Sequence, residues 1–256
     1  MWVTFNRPHR SNALTPGMIS KLKALLEAHR SDPSVRVLVL TGKGKYFSSG
    51  MDLSAANQAD MQQRVGTGTA GSDATLLWES LRTFPKPIIA RINGPAMGGG
   101  WGLLFTTDIR LAVRSAEFSF SEVKRGIVPA IISAYVVPQL GPFHAKQLFL
   151  TGEKISAEKA QEIGFLSGVV DTEEELDRET LRYVRVVLGN GPGAMSHVKS
   201  AVQFVSTHAH PENLRYVQEL FDAAVVTSPE ALYGMACFMQ KAQPDWTQFL
   251  REQAKL

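Results

Sequence analysis

The sequence predicts an α/β fold in which short buried strands alternate with helices in the front of the chain and helices alone fill the rear. Three observations carry this. Residues 35–42 ("VRVLVLTG") and 88–92 ("IIARI") are near-continuous apolar runs, the pattern of strands buried on both faces. Amphipathic, well-capped helical segments lie around them. From Pro142 onward strand signals nearly vanish while Ser, Thr, Asp and Pro helix starts recur. A chain of 256 residues suits one large domain, or one domain with a helical appendage.

Taken in order, "VTF" at residues 3–5 reads as a first strand. In "LTPGMISKLKALLEAHRSD", Thr15 is the expected N-cap and Pro16 the first-turn residue. Ile19, Leu22, Leu25 and Leu26 form the apolar face of that helix. After strand 35–42, the polar, Gly/Thr-rich and aperiodic "SAANQADMQQRVGTGTAGSD" predicts a mobile loop beside a site. A helix over 73–84 ends at "FPKP", strand 88–92 follows, and "DIRLAV" (108–113) and "EFSF" (117–120) add two more strands. Helices are expected at about 142–150, 156–163, 172–188, 192–207, 212–226, 229–241 and 245–252.

Composition narrows the function classes. Hydrophobic content of 44% with 20% charged residues describes an ordinary globular protein, and no apolar run approaches the length of a membrane span. The N-terminal "MWVTFNRPHR" reads as neither signal nor transit peptide. The single cysteine, Cys237, excludes an internal disulfide framework and suits a reducing compartment. Net charge is +3 with basic residues scattered singly, which argues against nucleic-acid binding. "TGKGKYF" lacks the Ser/Thr and glycine spacing of a P-loop, and "GGGWG" lacks the spacing of a dinucleotide fingerprint. There is no nucleophile elbow and no zinc helix. His208 and His210 read as solvent-facing rather than as metal ligands. The expectation is a soluble intracellular protein without metal. Ala254-Lys255-Leu256 resembles a C-terminal peroxisomal address; without it the cytoplasm is expected.

Two Gly-punctuated loops follow the two buried strands: "TGKGKYFSSGMDL" and "INGPAMGGGWGLL". Loops leaving the C-terminal ends of neighbouring parallel strands line one crevice. A helix opening at the triple glycine would present free amides to it. Two amides from two loops aimed at one point make an oxyanion hole, in which loss of one donor costs about 3 kcal/mol of transition-state stabilisation.

The ordered motifs "TFNRPHRSNAL", "YFSSGMDL", "PKPIIARINGPAMGGG", "DIRLAV", "FSFSEVKRGIVPA" and "LTGEKISAEKAQEIGFL" resemble the crotonase (enoyl-CoA hydratase/isomerase) family over essentially the whole chain. The resemblance implies a crotonase-type ββα-spiral core over residues 1–190 and a C-terminal helical trimerisation region over 191–256. It implies enolate chemistry on an acyl-CoA thioester in a homotrimer or dimer of trimers, with no cofactor beyond the coenzyme A of the substrate. Carried over residue by residue, the thioester oxygen would lie between the amides of Met51 and Gly99, with Ser49, Gly50 and Asp52 as candidate substrate- or CoA-binding residues beside Met51. Asp52 itself reads as an N-cap for a following helix.

Family hydratases carry one glutamate two residues after the triple glycine and another twenty residues further on. Here the first position is Gly102, preceded by Trp101; the second is Glu122. A partly desolvated Glu122 would have the raised pKa that a general base near neutrality needs. Gly102 would leave pocket volume where a side chain stood, and Trp101 would either pack in the core or border the substrate. Tyr135 would touch the acyl chain, and Lys241 matches a family lysine near the CoA phosphates, although the family's following arginine is Ala242. The leading expectation is hydration of a 2-enoyl-CoA, by resemblance to hydratases of branched enoyl-CoAs. Δ3,Δ2-enoyl-CoA isomerisation with Glu122 as sole proton shuttle stands close behind, and a non-catalytic CoA-binding trimer is the reading from another class.

Overall fold

The computed structural model describes residues 1–54 and 72–253. The expected loop over 54–73 falls almost wholly outside them, as does the C-terminal Ala254-Lys255-Leu256. Among the described residues no helix is long and apolar enough to cross a membrane.

The central layer is a five-stranded parallel sheet in the order β1-β2-β3-β5-β8. Its strands are β1 (Trp2–Phe5), β2 (Leu38–Gly42), β3 (Ile88–Ile92), β5 (Ile109–Val113) and β8 (Gly168–Val170). Every residue of β2 and β3 is buried, as their unbroken apolar runs require. Alternation divides them between two faces. Leu38, Leu40, Ile88, Ala90 and Ile92 enter the main core, whereas Val39 and Ile89 join a smaller cluster with Val187. Arg91 points to this second face too, where its guanidinium meets Asp177 at 2.6 Å and Glu173 at 3.4 Å. Both carboxylates belong to the helix that covers the face.

The main core lies under α1 (Pro16–His29) and α2 (Ser72–Arg82). Thr15 caps α1 as expected, its Oγ1 accepting the Met18 amide at 3.3 Å, and Ile19, Leu22 and Leu26 are buried. Leu25 is only half-buried. A short strand β4 (Ala96–Met97) then leads into α3 (Gly99–Leu104), the helix expected at the triple glycine. β4 pairs with β6 (Glu117–Ser119), which pairs with β7 (Ile155–Ser156) in a second, three-stranded sheet. After a 3₁₀ turn over Ser121–Arg125 comes α4 (Ala130–Thr151), interrupted where Gly141 leaves helical geometry just before Pro142. Its second half was expected; its first half was not.

The rear is helical as predicted: α5 (Ala157–Glu162), α6 (Glu173–Leu188), α7 (Pro192–Val205), α8 (His210–Phe221), α9 (Pro229–Met239) and α10 (Trp246–Gln253). Glu230 on α9 caps α7, accepting the Gly193 and Ala194 amides at 2.9 and 2.8 Å, and Trp246 Nε1 donates to Gly189 O at 2.9 Å. This layer leaves many large apolar side chains in solvent, among them Val202, Leu232, Phe238 and Met239. His208 stacks flat on Phe204, and no cluster of three or more His, Cys, Asp or Glu side chains placed to hold a metal occurs among the described residues.

Candidate active site

β2 and β3 are adjacent and parallel, so the loops that follow them leave the same edge of the sheet. Asn93, the first residue after β3, ties them together. Its Oδ1 accepts the Gly42 amide at 2.9 Å and its Nδ2 donates to Gly44 O at 2.7 Å. Ser48 makes the next stitch, accepting Met97 N on its carbonyl at 2.9 Å while its Oγ donates to Asn12 O at 2.9 Å and accepts the Gly50 amide at 3.2 Å. The buried side chain of Asn12 reaches the carbonyls of Lys43 and Tyr46 at 3.1 and 2.7 Å. No sequence motif singled out these three residues, yet they are the frame of the site.

Within this frame Leu14 pairs with Met51 as an isolated parallel bridge. Leu14 N donates to Gly50 O at 2.8 Å and Asp52 N donates to Leu14 O at 2.9 Å. Alternation along an extended segment then turns the intervening Met51 amide away from Leu14. It faces α3. An ideal Cβ on Gly99 would lie 3.7 Å from Met51 N, and one on Gly50 would lie 3.0 Å from Gly99 N. Neither amide has an acceptor among the described residues. Two amides from two stitched loops, with no acceptor among the described residues, thus lie side by side.

Two of the three glycines have a steric reason, and the middle one contributes its amide. Gly98 (φ +50°, ψ −128°) holds a conformation open to glycine alone, and a Cβ there would lie 2.9 Å from Glu122 Oε1. Gly99 carries the free amide. A Cβ on Gly100 would strike Ser48 O at 2.6 Å, so this residue lets α3 sit directly on the first loop. Gly50 (φ +92°) is the counterpart on that loop, where a Cβ would meet Met97 O at 2.8 Å.

Glu122, on the 3₁₀ turn, therefore stands against Gly98 at the edge of the two amides. Its Oε2 is buried without a hydrogen-bond partner. Burial pushes its carboxyl above the usual range, opposed by its own backbone amide and by the charge of Arg125. Arg125 makes no ion pair with it; that guanidinium donates to Ser121 O and Oγ at 3.1 and 2.9 Å. A carboxylate held half-desolvated beside two free amides can take a proton from a group whose developing negative charge the amides hold.

Other expected residues are placed differently. Trp101 is fully buried, stacked on Phe120 at 4.0 Å within a cluster that includes Phe105, Phe118 and Phe165. It is a core residue behind the Glu122 segment, and the substrate-contact alternative is corrected. The indole that does border the amides is Trp78 of α2, whose Cζ2 would lie 3.8 Å from a Cβ on Gly99; no sequence motif marked it. Gly102 does not open pocket volume. A Cβ there would fall 2.3 Å from Ile132 Cγ2, because Ile132 already fills the space. Tyr135 is buried on the same helix, its hydroxyl donating at 3.5 Å to Glu79 Oε2, which Arg82 also holds. Ser49 is half-buried, its amide donating to Ser11 O at 2.9 Å. Lys241 adopts φ +55° just beyond α9, a helix packed on α7 in the rear layer.

Asp52 accepts the Ser54 amide at 3.0 Å and pairs with Arg7 Nη1 at 2.6 Å, pinning the residue after Met51. The helix it was expected to cap lies outside the described residues. The Ser54 amide first, then Arg7, hold its carboxyl below the usual range. The folded state so favours the ionised form, a contribution present above the ordinary carboxylate range and lost as pH falls through the lowered value. Asp52→Asn is expected to lower Tm near pH 7, with the gap to wild type narrowing in acid. A gap independent of pH in thermal melts would count against the pairing.

The family model described as enoyl-CoA hydratase/isomerase matches residues 1–251. The chain is 36% identical over 236 residues to the enoyl-CoA hydratase ACTT6 of Alternaria alternata, covering 92% of this chain and 77% of that protein. It is 30% identical over 245 residues to the 2,3-dehydroadipyl-CoA hydratase of Escherichia coli, covering 95% and 93%. Among solved structures, an enoyl-CoA hydratase/isomerase from Marinobacter aquaeolei superposes with TM-score 0.89 at 29% identity, covering 96% of this chain and 95% of that one. Pseudomonas aeruginosa AtuE superposes with TM-score 0.90 at 28% identity, again over 96% and 95%. The ordered motifs, the spiral α/β core and these matches agree: the chain belongs to the enoyl-CoA hydratase/isomerase (crotonase) family.

Proposed function

We propose that the protein adds water to a 2-enoyl-CoA, with Glu122 as general base and the Met51 and Gly99 amides as the oxyanion hole. The observation that carries this is the position of the Glu122 carboxylate against Gly98, one residue from a free amide, with one oxygen buried and unpartnered. The relatives' names support hydration as the reaction.

In this reading Glu122 takes a proton from water as the oxygen adds to C3 of the thioester. The C2–C3 π electrons move to C2 and the carbonyl, and the two amides hold the resulting enolate oxygen. The same carboxyl then returns its proton to C2, so one residue serves both halves of the reaction. The exposed apolar side chains of the rear helices support assembly as a homotrimer or a dimer of trimers, and in such an assembly Lys241 would meet CoA phosphate.

A second reading is favoured by one observation: residue 102 offers no second carboxylate. Glu122 alone suffices to move a proton from C2 to C4 of a 3-enoyl-CoA, which is isomerisation. The pure protein is to be incubated with crotonyl-CoA, 3-methylglutaconyl-CoA and a 3-enoyl-CoA, beside Glu122→Gln. Hydration lost in the variant supports the first reading. Isomerisation without hydration selects the second. CoA binding without turnover of any of the three thioesters would favour the non-catalytic CoA-binding reading.

A further inference from the structure

Gly102 lies in the first turn of α3, its amide donating at 2.9 Å to the carbonyl of Gly98, the non-helical N-cap four residues before it. A side chain at Gly98 would meet the Glu122 carboxylate; one at Gly102 would meet Ile132. The contact at Gly102 is closer than any side chain allows. A Cβ there would lie 2.3 Å from Ile132 Cγ2, 2.6 Å from Ile132 Cβ and 3.2 Å from Ile132 Cδ1. The clash includes the branch carbon, which rotation about the side-chain bonds cannot move away, and a β-branched residue in a helix has little χ1 freedom in any case. Ile132 is itself buried, on a helix packed against α3.

We propose that Ile132 closes the position of a second carboxylate and is thereby the specificity-determining residue that commits this site to chemistry with Glu122 alone. A glutamate at 102 and a branched side chain at 132 exclude one another: either an acidic group borders the substrate, or an apolar wall does. With the wall, no second acid orients the attacking water, and every proton that moves at the reacting carbons passes through Glu122. The inference rests on the reading that Glu122 is the base and that the substrate lies between it and the two amides.

Steric exclusion is testable apart from catalysis. In a helix, Gly→Ala ordinarily raises stability. Gly102→Ala is instead expected to lower Tm, and adding Ile132→Ala is expected to recover part of that loss, so the double variant melts above the sum of the two single effects. Gly102→Glu alone is expected to be inactive or unfolded. Gly102→Glu/Ile132→Ala is expected to fold and to raise the ratio of crotonyl-CoA hydration to 3-enoyl-CoA isomerisation tenfold or more over Ile132→Ala. Additive melting effects of the two alanines would overturn the proposal, as would a double variant whose reaction ratio equals that of Ile132→Ala. Glu122→Gln run alongside separates the two ideas: full activity there defeats the assignment of the base, while the thermal coupling of residues 102 and 132 stands or falls independently.

Discussion

Glu122→Gln is expected to lower enoyl-CoA turnover by roughly 10²–10⁴-fold, the usual contribution of a positioned general base. The fold should survive, because Gln keeps the shape and removes only the charge. Stability is in fact expected to rise. Burial raises the Glu122 pKa, so the folded state holds the carboxyl proton more tightly than the unfolded chain does. Ionising it therefore costs the folded state, and that cost is absent well below the ordinary carboxylate pKa and fully present above the raised one. Near neutrality Glu122→Gln removes it. Thermal melts should show equal or higher Tm for the variant, while kcat/KM of the wild type rises with pH through the raised value and then levels. A variant that loses stability and keeps turnover would assign Glu122 a packing role instead.

Gly98→Ala is expected to have the second-largest effect, for two separable reasons. Its φ of +50° with ψ of −128° strains any L side chain, at a cost of order 1–3 kcal/mol. The added methyl would also sit 2.9 Å from Glu122 Oε1, so either the carboxylate or the start of α3 must shift. Misplacement of a catalytic group by about 1 Å can cost 10²-fold in rate. The expected result is a lower Tm together with a fall in kcat of about that size. Gly17→Ala, where a methyl meets nothing closer than 4.0 Å, serves as the control. Unchanged kcat in Gly98→Ala would contradict the placement of Glu122 against this glycine.

How far the sequence reached follows from the range of each interaction. β2 and β3 were legible because burial on both faces writes an unbroken apolar run, and α1 because Thr15, Pro16 and the Ile19–Leu22–Leu26 spacing are local signals. The pairings β4–β6 and β6–β7 were not, because two- and three-residue strands are made by backbone partners far along the chain. The first half of α4 was missed since "AIISAYVVPQL" is apolar nearly all round, with Pro138 inside, and so shows no helical period. In the site, the ordered motifs named Met51, Gly99 and Glu122, and the fold brings the three segments close together. For Trp101 core packing and substrate contact both stayed open, because adjacency to the triple glycine says nothing about which face of a short helix a residue takes. Ile132, thirty residues beyond Gly102, fills its missing side chain through space, and no local pattern records that.

The convergence of two backbone amides on a thioester oxygen, beside one carboxylate, is the central claim. It is tested most directly by infrared difference spectroscopy of crotonyl-CoA labelled with ¹³C at the carbonyl, bound to Glu122→Gln so that the ligand is held without turnover. Two amide donors polarise the bond, so the carbonyl stretch should move to lower frequency than in free solution. A bound ligand whose carbonyl band stays at its solution frequency would contradict the assignment of Met51 and Gly99.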